Sequence, residues 1–520
     1  MNHRNRRDFL ADVGRGMLIA GLGSGLAGDL GVGKAWAETG PDSLTFGPLE
    51  ALVELMQQTP TERILPVLVE KLNSGVDLRQ LTAAAALANA RSFGGEDYIG
   101  FHTMMALVPS YLMAQEMPES LRALPVLKVL YRNTKRIHDA GAEDVEVLKQ
   151  IAPADVPSNE ATGDRLRDAV RQLDLDGAER LFAAIAQQGP DYAFNELLHL
   201  VDDEQEVHRV VLPYRAYSLI DLVGAEHAHT LLRQSVRYCI RSESRPNIAS
   251  HLSESRELLP KLMDQYHLAA RSAGTREADD AWIDAMTRTL FEATPSQAAE
   301  AVAGALAEGF TAEAIGESIA LAANQLVLRD AGRPANQAQA NKPVGSIHGD
   351  SIGVHASDSA NAWRNMALIG NDRNRAACLI LAGYQVARDR AQRGGDFLAW
   401  TPWPQEEVLA GVAETDAAAL ISEADTAIRA NDQARACAVV HKYGVLAHEP
   451  RGMFDLLLRY STSEDGALHA EKYYRTVCDE YSSTRPAFRW RQVVALSRVV
   501  ASSCNQPADG VAEARQLLGG

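Results

Sequence analysis

The sequence predicts an all-α fold made of two tandem, diverged multi-helix domains. Three observations carry that reading. Apolar residues recur at three- and four-residue spacing along most of the chain, and no convincing strand pattern interrupts them. The strong helix formers Ala, Leu, Glu, Arg and Gln dominate these stretches. A histidine pattern also occurs twice. Asp97-Tyr-Ile99-Gly100-Phe-His102 is followed by His199, His208 and His227; Asp350-Ser-Ile352-Gly353-Val-His355 is followed by His441, His448 and His469.

Taken in order, the periodicity predicts helices over residues 49–57, 64–72, 78–90, 121–131, 178–186 and 230–240 in the first half. In the second half it predicts 281–291, 296–307, 314–328, 375–388 and 492–501. Breakers such as Thr59-Pro60, Gly75, Gly94-Gly95, Gly189-Pro190 and Gly309 separate them. The helix–turn–helix run ending at Asn89 has a counterpart ending at Asn324, which extends the duplication beyond the histidines. The domains are read as 44–272 and 280–520, with a polar junction between them. The second copy carries an insertion over 333–346, rich in Ala, Asn, Gln and Pro, which reads as a loop.

The N-terminus carries a second message. Asn5-Arg6-Arg7-Asp8-Phe9-Leu10, a short glycine-rich apolar stretch and Ala35-Trp36-Ala37 together read as a twin-arginine signal peptide over 1–37, cleaved after Ala37. The apolar stretch is too short and too glycine-rich to span a bilayer, so a periplasmic protein without membrane insertion is expected. The translocase that reads the paired arginines would be its partner during export. That route carries folded proteins, often because a cofactor is inserted first. The formal net charge of −17 repels nucleic acid and excludes it as a natural partner. The five cysteines include no C-x-x-C, which disfavours zinc ribbons and covalent haem attachment.

The twinned histidines are the candidate site. His199 to His227 and His441 to His469 are both 28 residues apart, and Gly224-Ala225-Glu-His227-Ala matches Gly466-Ala467-Leu-His469-Ala. His102, His199, His208, His227, His355, His441, His448 and His469 are therefore expected as metal ligands, with Asp97 and Asp350 orienting the imidazoles of His102 and His355. The acidic run from Asp202 to Glu206 is expected to break the chain between His199 and His208, which on one helix would face opposite ways. Glu196-x-x-His199 resembles a di-iron carboxylate motif, but its counterpart begins with Ala438, so a symmetric carboxylate site loses ground. A histidine-dominated set suits iron or copper, with zinc or haem as alternatives. His348, on the glycine-rich approach to His355, is the expected catalytic acid or base. Tyr98, Arg215, Trp363 and Arg364 are expected pocket walls, while His138 and His229 are not expected to be ligands.

Ala307-x-Gly309-x-x-x-Glu313-x-Ile315, followed by Val354-His355 and Ala360-Asn361-Ala362, resembles helical, histidine-rich bacterial proteins. In overall character the chain is also similar to the questin oxidase-like group, with no catalytic residue carried over. That resemblance implies an oxidoreductase acting on a small organic substrate. The expectation is thus a periplasmic oxidoreductase with a histidine-held metal or haem. The alternatives are a metal-free helical binding or scaffold protein and a zinc-dependent hydrolase.

Overall fold

The computed structural model describes residues 43–144, 146–156, 162–392 and 395–519. The twin-arginine motif and the cleavage site lie outside them. The described residues form twenty-four α-helices, short 3-10 turns and no strand. The predicted helices are present with displaced ends: residues 78–90 belong to Leu78–Phe93, and 375–388 to Asp372–Gln392. Side chains fix several starts. Asp77 accepts from the Gln80 backbone N–H while Gln80 reaches back to the Asp77 N–H, a reciprocal cap that begins Leu78–Phe93. Among the described residues no helix is long and apolar enough to cross a membrane, and all five cysteines are buried and unpaired.

Helix packing recurs between the two halves. Glu50–Gln58 packs on Leu78–Phe93, which packs on Tyr98–Glu116 and Leu124–Asp139. In the same order, Asp280–Glu292 packs on Ala312–Arg329, which packs on Ile352–Ile369 and Asp372–Gln392. Leu44–Gly520 is a single compact unit, and the halves interlock within it. Met113 from the first half belongs to the same buried apolar cluster as Val327 and Val354 of the second. Lys128 lies 2.6 Å from Glu471 with both side chains buried, and donates to the carbonyls of Ser461 and Glu464. Removing one partner of such a pair typically costs roughly 3–5 kcal/mol, because the other charge is left buried alone.

Four helices close a ring at the centre. Tyr98–Glu116 packs on Val207–Val223, which packs on Ile352–Ile369, which packs on His469–Ser483, which returns to Tyr98–Glu116. Each contributes one histidine from its first turns.

Candidate metal centre

The ring begins with local chemistry that starts four helices at one place. Asp97 caps the first by accepting from the Gly100 N–H at 2.7 Å. Glu206 caps the second, accepting from the N–H groups of His208 and Arg209 at 2.9 and 3.2 Å. Ser351 caps the third, and His469 opens the fourth after a turn at Ala467-Leu468. Gly100 and Gly353 allow close helix packing. A Cβ at Gly100 would meet the Phe93 ring at 2.5 Å, and one at Gly353 would meet the Val327 nitrogen at 2.6 Å. Both glycines therefore serve packing.

His102, His208, His355 and His469 converge, each less than 10 % exposed. His102 and His208 face each other with Nε2 atoms 3.2 Å apart, and His355 and His469 do so at 3.1 Å. Around the ring, neighbouring centroids are 4.7 Å (His102–His208), 5.9 Å (His208–His355), 5.1 Å (His355–His469) and 5.1 Å (His469–His102).

The outer nitrogens decide what the inner ones can do. His102 Nδ1 donates to the Tyr98 carbonyl at 2.6 Å, and His208 Nδ1 to the Glu206 carboxylate at 2.7 Å. His469 Nδ1 faces the Ala467 carbonyl at 3.1 Å. A carbonyl or carboxylate can only accept, so each of these Nδ1 atoms carries the proton and, in a neutral ring, leaves a lone pair on Nε2. The His102–His208 couple would then bring two lone pairs together at 3.2 Å. Such a contact requires a cation between the rings, either a proton or a metal ion.

Charge around the couples is uneven. Burial alone would raise the Glu206 carboxyl, but His208 and hydrogen bonds from His208, Tyr238 and the Arg209 N–H bring it down to about 2. Glu206 is thus a partly buried anion beside the first couple. His102 and His469 are held well below the ordinary imidazole range, first by burial and then by the Lys472 ammonium and neighbouring rings. One turn beyond His355 and His469 lie Asp358 and Lys472, both buried. Burial pushes the Asp358 carboxyl up and the lysine down to about 8. Tyr98, 59 % exposed, covers the solvent side with its ring 4.5 Å from His102.

Four imidazoles holding one ion at metal–nitrogen bonds of about 2.0–2.1 Å would set adjacent Nε2 atoms roughly 3.3 Å apart and adjacent centroids roughly 5 Å apart. Both couples and three of the four centroid separations match; the His208–His355 edge is wider. Among the described residues no group of three or more His, Cys, Asp or Glu side chains is placed to hold a metal ion as it stands. The donor types suit a metal, as do the tautomers fixed at His102, His208 and His469, and the two couples would have to close by about 1 Å across that wide edge.

The other expected ligands lie elsewhere. His199 bonds Asp164 at 3.1 Å and packs over Gly163. His227 sits at the start of Ala228–Glu243, edge-on to Phe46. His448 bonds the Thr415 carbonyl at 2.9 Å beyond its helix, and His441 lines a separate cleft. The expected orienting carboxylates also have other partners. Asp97 is paired with Arg136, and Asp350 with Arg333 at 2.9 Å and Lys342 at 2.7 Å. The backbone carbonyl of Tyr98 takes the role expected of Asp97. His348 is buried, with Nδ1 3.4 Å from Asp350, on a loop whose Gly349 packs against His469. Of the expected walls, Tyr98 borders the centre, whereas Trp363 bonds Gln385 at 2.7 Å in the core and Arg364 is paired with buried Glu480. Glu206, Tyr238, Asp358 and Lys472 were not singled out from sequence. The signals present were the acidic residue two before His208 and the i,i+3 spacing of His355 with Asp358 and His469 with Lys472. Comparison with known proteins finds no matching family, curated protein or solved structure.

Proposed function

We propose that His102, His208, His355 and His469 hold one transition-metal ion and that the protein is an exported, metal-dependent oxidoreductase. The observation that carries this reading is the His102–His208 couple: two outer nitrogens fixed as donors, two inner lone pairs facing each other, and a partly buried carboxylate ready to balance positive charge. When bound, the metal supplies reversible electron transfer to a small organic substrate or to oxygen, and an all-imidazole set suits copper or iron. The chain's own part is to fix tautomers through Tyr98 and Glu206 and to exclude bulk water by burying the rings. Lys472 adds positive charge beside His102 and His469, which favours an anion next to the centre.

A second reading rests on the same couple. A proton on His208 lets it donate to both Glu206 and His102, which satisfies every nitrogen without metal. Elemental analysis and a visible spectrum of protein exported through its own signal separate the two. Stoichiometric copper or iron is the expected result. Zinc would move the chemistry to hydrolysis, and no metal uptake on titration would leave the protonated cluster.

Export through the twin-arginine route belongs to the same proposal and is tested on its own. Replacing Arg6-Arg7 by Lys-Lys should trap the precursor in the cytoplasm, because the receptor reads paired guanidinium groups. Normal periplasmic yield would remove the export argument for a cofactor.

A further inference from the structure

A cleft of about 410 Å³ opens between Asp280–Glu292, the end of Ala312–Arg329, the Pro402–Pro404 loop and Trp490–Ser503. None of the four central histidines lines it, but His441 does. Its volume falls within the range usual for small-molecule sites.

Its charges are unlike the rest of the chain. Arg288, Arg329 and Arg491 line it against only Asp284 and Glu292, in a protein whose net charge is −17. Arg329 is held by neutral acceptors, its Nε donating to Gln325 Oε1 at 3.1 Å and its Nη1 to the Trp400 carbonyl at 2.9 Å. It makes no ion pair among the described residues. Arg491 reaches Asp284 only at 3.8 Å, and that carboxylate is already bound by Arg288 at 2.8 Å. Burial works against the charged form of both Arg329 and Arg491. Glu292 and Asp284 lie near enough to act on the two guanidiniums, but neither carboxylate is within hydrogen-bond distance of them, which leaves their N–H groups open to a ligand carboxylate.

The remaining walls are apolar and aromatic. Phe291 lies under the Arg329 guanidinium at 5.1 Å, with Trp403, Leu328 and Leu409 alongside. His441, kept neutral by burial and by Arg491, offers one N–H and one lone pair. We propose that this cleft binds a small hydroxylated aromatic carboxylate, with the carboxylate between Arg329 and Arg491, the ring against Trp403 and the hydroxyl at His441. Inorganic phosphate would use the arginines and leave the apolar wall unfilled, and an uncharged phenol would do the reverse.

The site does not depend on the metal reading and is tested without metal. The full exported chain is titrated with 4-hydroxybenzoate by calorimetry and tryptophan fluorescence, with acetate and inorganic phosphate as comparison probes. Saturable binding of 4-hydroxybenzoate, at least about tenfold tighter than either comparison probe, is expected. Arg329→Gln and Arg491→Gln should each weaken it by about tenfold or more with helicity by circular dichroism unchanged, since each removes a charge-assisted hydrogen bond. Lys135→Gln, at an exposed surface pair outside the cleft, should leave binding as it was. No saturable binding, equal affinity for acetate or phosphate, or full binding by both Arg329→Gln and Arg491→Gln would overturn the proposal.

Discussion

The two histidine couples are built to the same spacing, and only the first has a carboxylate bonded to one of its rings. The His102–His208 couple leans on the Glu206 carboxylate, which Tyr238 also bonds at 2.8 Å. The His355–His469 couple has backbone carbonyls behind His469 and the buried ammonium of Lys472 nearby. In the second couple His355 can donate its Nε2–H to the His469 lone pair, so two neutral rings suffice. In the first they do not. A positive charge entering the ring is therefore favoured at His208, beside Glu206, and opposed at His102 and His469, which both lie near Lys472. Equal geometry with unequal charge is how one site assigns different tasks to similar groups.

The largest test of this asymmetry removes a ring from each couple. His208→Ala should abolish stoichiometric metal binding while helicity by circular dichroism stays near that of the parent. His355→Ala should retain weakened binding, since it leaves the Glu206-backed couple intact. If both variants bind metal at full stoichiometry, the centre is not a metal site. If His355→Ala is the more damaging, the charge argument is reversed. Next in size is Glu206→Gln, which keeps the hydrogen-bond acceptor but removes the anion. Outer partners of this kind typically alter metal affinity by about 10–100-fold, and competition against a chelator measures it.

Acid titration of the metal-free protein reads the same asymmetry as stability. His102 and His469 have folded pKa values below their ordinary one, so the unfolded chain takes up protons first. Their contribution is fully present above pH 6.5 and is lost as the pH falls below it, at about 1.4 kcal/mol per pH unit for each ring. Glu206 is also depressed, from 4.5 to about 2, so its contribution is lost lower down, as the pH falls from 4.5 towards 2. Urea unfolding across pH 7 to 3 should show two successive losses. His469→Gln should flatten the upper one and Glu206→Gln the lower. A single loss unaffected by either variant would show that these groups do not govern acid stability.

Much of the fold was legible because it depends on period and punctuation. Three- and four-residue apolar spacing marks helices whatever they pack on, and residues such as Gly75, Gly94-Gly95 and Gly189-Pro190 end or begin them locally. The centre was legible in part. His102, His208, His355 and His469 were all on the expected list, and the break after Val201 lies where the acidic run suggested. What misled was the match of Gly224-Ala225-Glu-His227 to Gly466-Ala467-Leu-His469. Both are loop-to-helix junctions, and glycine and alanine suit that role in any helix. They mark the same local event at different places, and it is His208 whose helix packs in the ring as the His469 helix does. The assignment of Asp97 to His102 failed for a related reason. A carboxylate just before a helix is drawn first to the free N–H groups of the first turn and to a nearby arginine, here Arg136. Lys472 and Asp358 were hidden because a charged residue in a helix reads as solvent-facing until its neighbours are known.

The smallest expected effect falls on Tyr238, and its size decides whether Glu206 acts by charge or by a hydrogen-bonded network. The phenol donates to Glu206 Oε2, the oxygen that also receives the His208 and Arg209 backbone N–H groups, while His208 Nδ1 uses Oε1. Tyr238→Phe therefore removes one of several donors and leaves both the anion and the bond to the ring in place. A hydrogen bond to a charged group contributes about 1.5–3 kcal/mol when removal leaves its partner short of donors, but Glu206 keeps the other three. The expected loss is at or below the lower end of that range in urea unfolding, with metal affinity falling by no more than about fivefold. If Tyr238→Phe instead matches Glu206→Gln in metal affinity, the phenol is holding the carboxylate in place. The distinction between the couples would then rest on the geometry of that network, and the net charge of Glu206 would be secondary.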